Sequence, residues 1–183
     1  MLEDLSQHIL DISENSLNAG ATEVSIILHN DLESGYTELE IIDNGKGMDK
    51  ETALQAVDPF STSRTTRRVG LGLPFLKQSA ELCEGDFQLE SKPGEGTKVK
   101  ASFRIDSIDT PPPGDIPSSL VSLLVAHPHI LWEYQQISGD LEFKFKSSEI
   151  VEILGDPEML KLPDIATWLR EYLRENIGSL NGN

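Results

Sequence analysis

The chain is poor in cysteine, with Cys83 alone in 183 residues. A single thiol cannot close an internal disulfide or build a cysteine cluster for zinc. In the segment "SAELCEG" it reads as a small core residue on a helix. Basic residues are also scarce: 15 Lys and Arg face 31 Asp and Glu, for a formal charge of −16. Such a surface repels a polyphosphate backbone, which weighs against DNA or RNA as the principal partner, so an anionic ligand needs a locally prepared site. No apolar run approaches the ~20 residues of a membrane span. The N-terminal "MLEDLSQHILDISENS" lacks the basic start and apolar centre of a secretory signal. The expectation is a soluble, cytoplasmic protein without internal repeats or low-complexity tracts.

What is present suits a folded chain: 38% hydrophobic and 25% charged residues lie in the globular range. Leu2, Leu5, Ile9, Ile12 and Leu17 recur near helical spacing and predict a helix over 2–17. Strands follow at Val24–Leu28 and in "ELEIIDN", joined by the turn "DLESGYT". Residues 50–57 read as a helix, and "DPFSTSRTTRRVG" as a polar, basic loop. "GLGLPFLKQSAELCEG" predicts a helix with Pro74 in its first turn and a glycine stop. "DFQLESKPGEGTKVKASFRI" alternates about "PGEG" as a hairpin does. This order makes an α/β sandwich, an open sheet covered by helices on one face, over residues 1–105. Residues 106–115, with three successive prolines, read as a stiff linker. Residues 116–183 read as a small α+β module: a short helix, a hairpin turning at 138–140, and a C-terminal helix with Ile165, Trp168, Leu169 and Leu173 inward.

Four stretches carry the chemistry: "DISENSLNAGA" at 11–21, "IIDNGKGMDK" at 41–50, "VGLGLP" at 69–74 and "KPGEGTKV" at 92–99. Singly each is weak, and "DNG" is common as an Asx-turn at a strand end. In this order and spacing, the chain resembles the ATP-binding domain shared by DNA gyrase, heat-shock chaperone, histidine kinase and MutL-type mismatch repair proteins, the GHKL superfamily. The resemblance covers roughly residues 1–105 and implies the Bergerat ATP-binding fold, with ATP and magnesium as ligands.

On that resemblance each motif has a physical role. Asp43 ends a buried strand, and an ionised carboxylate accepts hydrogen bonds without donating. It can therefore pair with the exocyclic amine of adenine and reject the oxygen that guanine carries there. Gly45 and Gly47 let backbone approach a planar base, and Met48 offers its face a polarizable surface. The amide oxygen of Asn15 is a hard, neutral ligand suited to magnesium. Asp11, one turn earlier on the same helix face, is placed to orient or deprotonate a water or to stand behind the metal. MutL-like and chaperone relatives carry a glutamate general base at this place. Asn18 falls where relatives contact phosphate, and reads equally as a helix C-cap. Gly70 and Gly72 expose backbone N–H groups before a helix N-terminus, anchored by Leu71 and Leu73. Arg64, Arg67 and Arg68 form a local electropositive patch, and with Phe60, Ser61 and Thr62 they resemble the lid segment of histidine kinases. Thr97 matches the threonine that helps hold adenine through a water.

The phrase at 15–26 is close to MutL, while the longer match, from "DPFSTSR" through "PGEGTKVKASF", is to histidine kinases. Only ten residues precede Asp11, too few for a hairpin bearing a phosphoacceptor histidine, and His8 reads as a surface or packing residue. The expectation is a stand-alone, magnesium-dependent kinase that phosphorylates a protein partner in trans. The alternatives are an ATP-gated regulatory module and, further off, a MutL-like ATPase. The expected partners are an adenine nucleotide and a phosphoacceptor or regulator protein, with a homodimer left open and no nucleic acid or membrane.

Overall fold

A computed structural model describes residues 3–61 and 71–181. The first helix, α1 (Leu5–Asn18), starts where the Asp4 side chain accepts a hydrogen bond from the Gln7 N–H at 2.8 Å. Leu5, Ile9 and Ile12 form its buried stripe. The chain leaves α1 through Gly20 at φ +77° and enters β1 (Glu23–Asp31), which pairs antiparallel with β2 (Tyr36–Asp43). A short helix α2 (Lys50–Ala56) is capped by Asp49, and α3 (Gly72–Leu82) follows the undescribed 62–70. Strands β3 (Phe87–Lys92) and β4 (Gly96–Arg104) form the expected hairpin, and β4 lies beside β2.

The remaining elements are α4 (Ile116–Ala126), β5 (Leu131–Ser138), β6 (Leu141–Lys146), α5 (Ser147–Leu154), a 3₁₀ turn at Pro157–Lys161, and α6 (Pro163–Leu180). Neither α5 nor the 3₁₀ turn is among the elements expected from the sequence. All six strands form one mixed sheet, ordered β3-β4-β2-β1-β5-β6, with β5 parallel to β1. Leu89, Val99, Ile41, Ile26, Tyr134 and Phe145 make a continuous row across it. The helices α1, α3, α4 and α6 pack over the face that this row occupies. The opposite face carries ion pairs between neighbouring strands, Glu38 with Lys100 at 3.0 Å, Glu40 with Lys98 at 3.1 Å and Glu133 with Lys146 at 3.0 Å. This matches the expected sandwich with helices on one side.

Three expectations change. Residues 116–183 do not stand apart from the sheet, because β5 covers what would otherwise be the bare edge of β1, and both halves share one hydrophobic core. Nor is 106–115 a free linker. The carbonyls of Pro112 and Pro113 accept from the N–H groups of Leu5 and Ser6 at 2.9 and 3.1 Å, so prolines that cannot donate cap the first turn of α1. Trp168 does not point inward: it is 49% exposed and stacks on Tyr172 with ring centroids 5.3 Å apart, while Leu169 and Leu173 fill the core. Among the described residues, no helix is long and apolar enough to cross a membrane.

Candidate functional site

The segment 44–48 is clamped rather than loose. Asn44 Oδ1 accepts from the N–H groups of Thr22 and Glu23 at 2.8 and 3.0 Å, tying the turn to the start of β1. The Lys46 N–H donates to the Ala19 carbonyl at 2.9 Å, and the Lys46 carbonyl accepts from the Gly94 N–H at 2.7 Å. The turn thereby lies between the end of α1 and the β3–β4 turn. Gly47, at φ +66°, is needed for that contact: a β-carbon there would sit 1.9 Å from the Lys92 carbonyl oxygen. The close approach that its missing side chain permits is thus between two stretches of chain.

Beside this clamp opens a cavity of about 560 Å³, within the size range of small-molecule sites. Asn15, Asn18, Asp43, Gly47, Met48, Leu73 and Thr97 line it, so residues from all four motifs meet at one place. Register explains part of this, because Thr97 is the direct partner of Asp43 across β2 and β4, and opposite residues face the same side. Asp43 is held at both oxygens. Oδ1 accepts from the Gly45 N–H at 2.9 Å and Oδ2 from the Ser16 hydroxyl at 2.6 Å.

Other expected residues lie off this wall. Gly72 opens α3 and packs on α1: a β-carbon on it would lie 3.0 Å from the Asp11 β-carbon. Asp11 does not line the cavity, and its Oδ1 accepts from Gln7 Nε2 at 3.0 Å. Leu71 caps α3 and is partly exposed. Phe60 is 85% exposed, and the Ser61 hydroxyl donates to Asp58 Oδ2 at 2.9 Å; neither lines the cavity. Thr62, Arg64, Arg67, Arg68 and Gly70 lie outside the described residues. His8 is fully buried, its Nε2 3.3 Å from Ser79 Oγ on α3, and burial holds its pKa below the usual histidine value. Cys83 is buried as expected, and burial pushes its thiol pKa up.

Ser16, Lys46 and Thr52 also line the cavity, and Ser91 lies behind it, beyond the residues expected from the sequence. Ser16 was within reach: it lies one turn from Ile12 on the buried stripe, where a hydroxyl needs a partner. Among the described residues no group of three or more His, Cys, Asp or Glu is placed to hold a metal ion.

A sheet with one helical layer, and a cavity whose wall holds both a fixed carboxylate and Leu73 from the first turn of α3, fit a nucleotide-binding domain. The chain belongs to the histidine kinase-, DNA gyrase B-, and HSP90-like ATPase family, whose model matches residues 2–107. It is similar to the sensor protein kinase FleS of Pseudomonas aeruginosa, at 37% identity over 49% of this chain and 22% of that protein. It is also similar to the DNA mismatch repair protein MutL of Chlorobium phaeobacteroides, at 38% identity over 31% of this chain and 8% of that protein. The match spans less than a quarter of either relative. In fold it resembles the solved N-terminal domain of a DNA repair protein, with TM-score 0.50 and 18% identity over 78% of this chain and 51% of that one.

Proposed function

We propose that the cavity takes ATP, with adenine against Asp43 and Thr97 and the triphosphate directed toward Asn15 and the start of α3. The chain then acts as a histidine-kinase-type enzyme that passes the γ-phosphoryl group to a protein partner in trans. The observation that carries this reading is the convergence of Asn15, Asp43, Met48, Leu73 and Thr97 on one cavity. The sequence likeness to a sensor protein kinase supports the kinase class.

The residues fit the nucleotide. Asp43, held by Gly45 and Ser16, is a fixed acceptor for an exocyclic amine, and Met48 supplies a polarizable contact for the ring. Asn15 would hold magnesium, which neutralises phosphate charge, together with oxygens of the nucleotide itself. The protein's task is then to position the triphosphate and exclude water. The acceptor nucleophile belongs to the partner.

Asp43 is the sole carboxylate among the described residues of the cavity wall, and Asp11 stands beside Gly72 rather than on it. Asp11 thus stands at the start of α3, where a carboxylate can serve an acceptor hydroxyl as well as a water, and the arrangement is compatible with transfer. It is equally compatible with a second reading, in which ATP binding alone alters affinity for a regulated partner. Incubation with γ-labelled ATP and extract of the source organism separates them. A labelled protein supports the kinase, label in free phosphate an ATPase, and label left in ATP the gated module. Calorimetry in which GTP binds as tightly as ATP would remove the adenine assignment.

A further inference from the structure

Behind the cavity, one hydroxyl sits where three backbone segments meet. Ser91 on β3 is the direct partner of Thr97 on β4, which in turn faces Asp43 on β2. The three polar side chains form a row across adjacent strands, next to the apolar row of Leu89, Val99 and Ile41. Ser91 itself does not line the cavity. Its Oγ has three neighbours: the Met48 N–H at 2.8 Å, the Gly96 carbonyl oxygen at 3.1 Å and Thr97 Oγ1 at 2.8 Å.

A hydroxyl has one proton and two lone pairs, so all three contacts can be hydrogen bonds in one way only. Met48 must donate to Ser91, and the Gly96 carbonyl must accept from it. The third contact then requires Thr97 to be the donor. Once its proton is committed to Ser91, Thr97 turns only lone pairs toward the cavity that it lines.

We infer that Ser91 is a positioning residue for base discrimination: by accepting the Thr97 proton, it holds the Thr97 hydroxyl as an acceptor toward the nucleobase. This rests on the proposed placement of the ATP base at Asp43. The Ser16 proton is likewise engaged, donated to Asp43 Oδ2. Asp43 and Thr97 therefore form a wall of acceptors, matched to an amine and opposed to an oxo group in its place. Without Ser91, the Thr97 proton is free to turn into the cavity and meet such an oxo group.

The test is calorimetric titration with ATP and with inosine triphosphate, whose purine carries an oxo group where adenine carries its amine. Ser91→Ala should narrow the preference for ATP over inosine triphosphate about three- to tenfold, the worth of one neutral hydrogen bond. Ser91→Cys fills the space that alanine would leave empty, with a somewhat larger atom that is only a weak hydrogen-bonding group; it should narrow the preference likewise, and it reports even if the alanine variant fails to fold. In a Thr97→Val background, adding either Ser91 substitution should leave the preference unchanged. If both affinities fall together and their ratio holds, Ser91 merely braces the Met48 turn and the inference is overturned. It is also overturned if the ratio narrows as much in the Thr97→Val background as in the wild type. Failure of the adenine assignment shows differently: the unsubstituted protein would then bind both nucleotides equally.

Discussion

Replacing Asp43 with asparagine separates the carboxylate's part in the fold from its part in binding. In the fold, an amide can keep both contacts: its oxygen accepts from the Gly45 N–H, now at 2.9 Å, and its nitrogen donates to Ser16 Oγ, now at 2.6 Å from the carboxylate. The Ser16 proton then moves to the Ile12 carbonyl, already 3.3 Å away. With no hydrogen bond lost, stability should change by less than ~1 kcal/mol. In the cavity the effect is large. An N–H donor replaces a charged acceptor opposite the adenine amine, and a hydrogen bond to a charged group is worth about 1.5–3 kcal/mol. ATP affinity should fall about 10- to 150-fold, with GTP affected far less. Calorimetry with each nucleotide measures this, with thermal denaturation of the free protein as the check on folding. ATP affinity within about threefold of wild type in a folded variant would refute the reasoning. So would an equal loss for both nucleotides, since Asp43 would then only shape the cavity.

Gly47→Ala should cost about 3 kcal/mol or more in urea denaturation, because its β-carbon would meet the Lys92 carbonyl oxygen at 1.9 Å; Gly20→Ala, at φ +77° but with nothing within 4 Å, should cost only ~1–2 kcal/mol. Asn15→Ala should weaken ATP binding with magnesium present and have little effect in chelator; equal losses would make Asn15 a structural residue. Burial lowers the His8 pKa, against weaker opposing effects of Asp11 and Asp4, so the folded state resists a proton that the unfolded chain accepts. The resulting stability is complete above the ordinary histidine value of about 6.5 and declines as pH falls from there toward the folded pKa. Urea midpoints at several pH values should show this slope, and His8→Gln should flatten it. Because the row from Leu89 to Phe145 crosses all six strands, Leu173→Ala should cost about 2–5 kcal/mol and leave a single transition, the same by Trp fluorescence and by far-UV circular dichroism. Separate transitions would mean that the two halves unfold independently.

Much of this protein is decided over short stretches of chain. The α1 stripe of Leu5, Ile9 and Ile12 and the alternation of Val99, Ala101 and Phe103 are local patterns, legible because each depends on residues a few positions apart. The four nucleotide motifs were legible for the same reason, and Asn15, Asp43, Met48, Leu73 and Thr97 do share one cavity. Tertiary structure alone decided the rest. Pairing of β5 with β1 joins residues more than a hundred positions apart, and no local pattern in 131–138 distinguishes a strand of a separate module from a strand added to an existing edge. Carbonyls on a run of prolines look like linker until α1 presents unpaired N–H groups to them. The parts played by Ser16 and Ser91 are of the same kind: a hydroxyl is donor or acceptor only relative to its neighbours, and those neighbours arrive from three different elements.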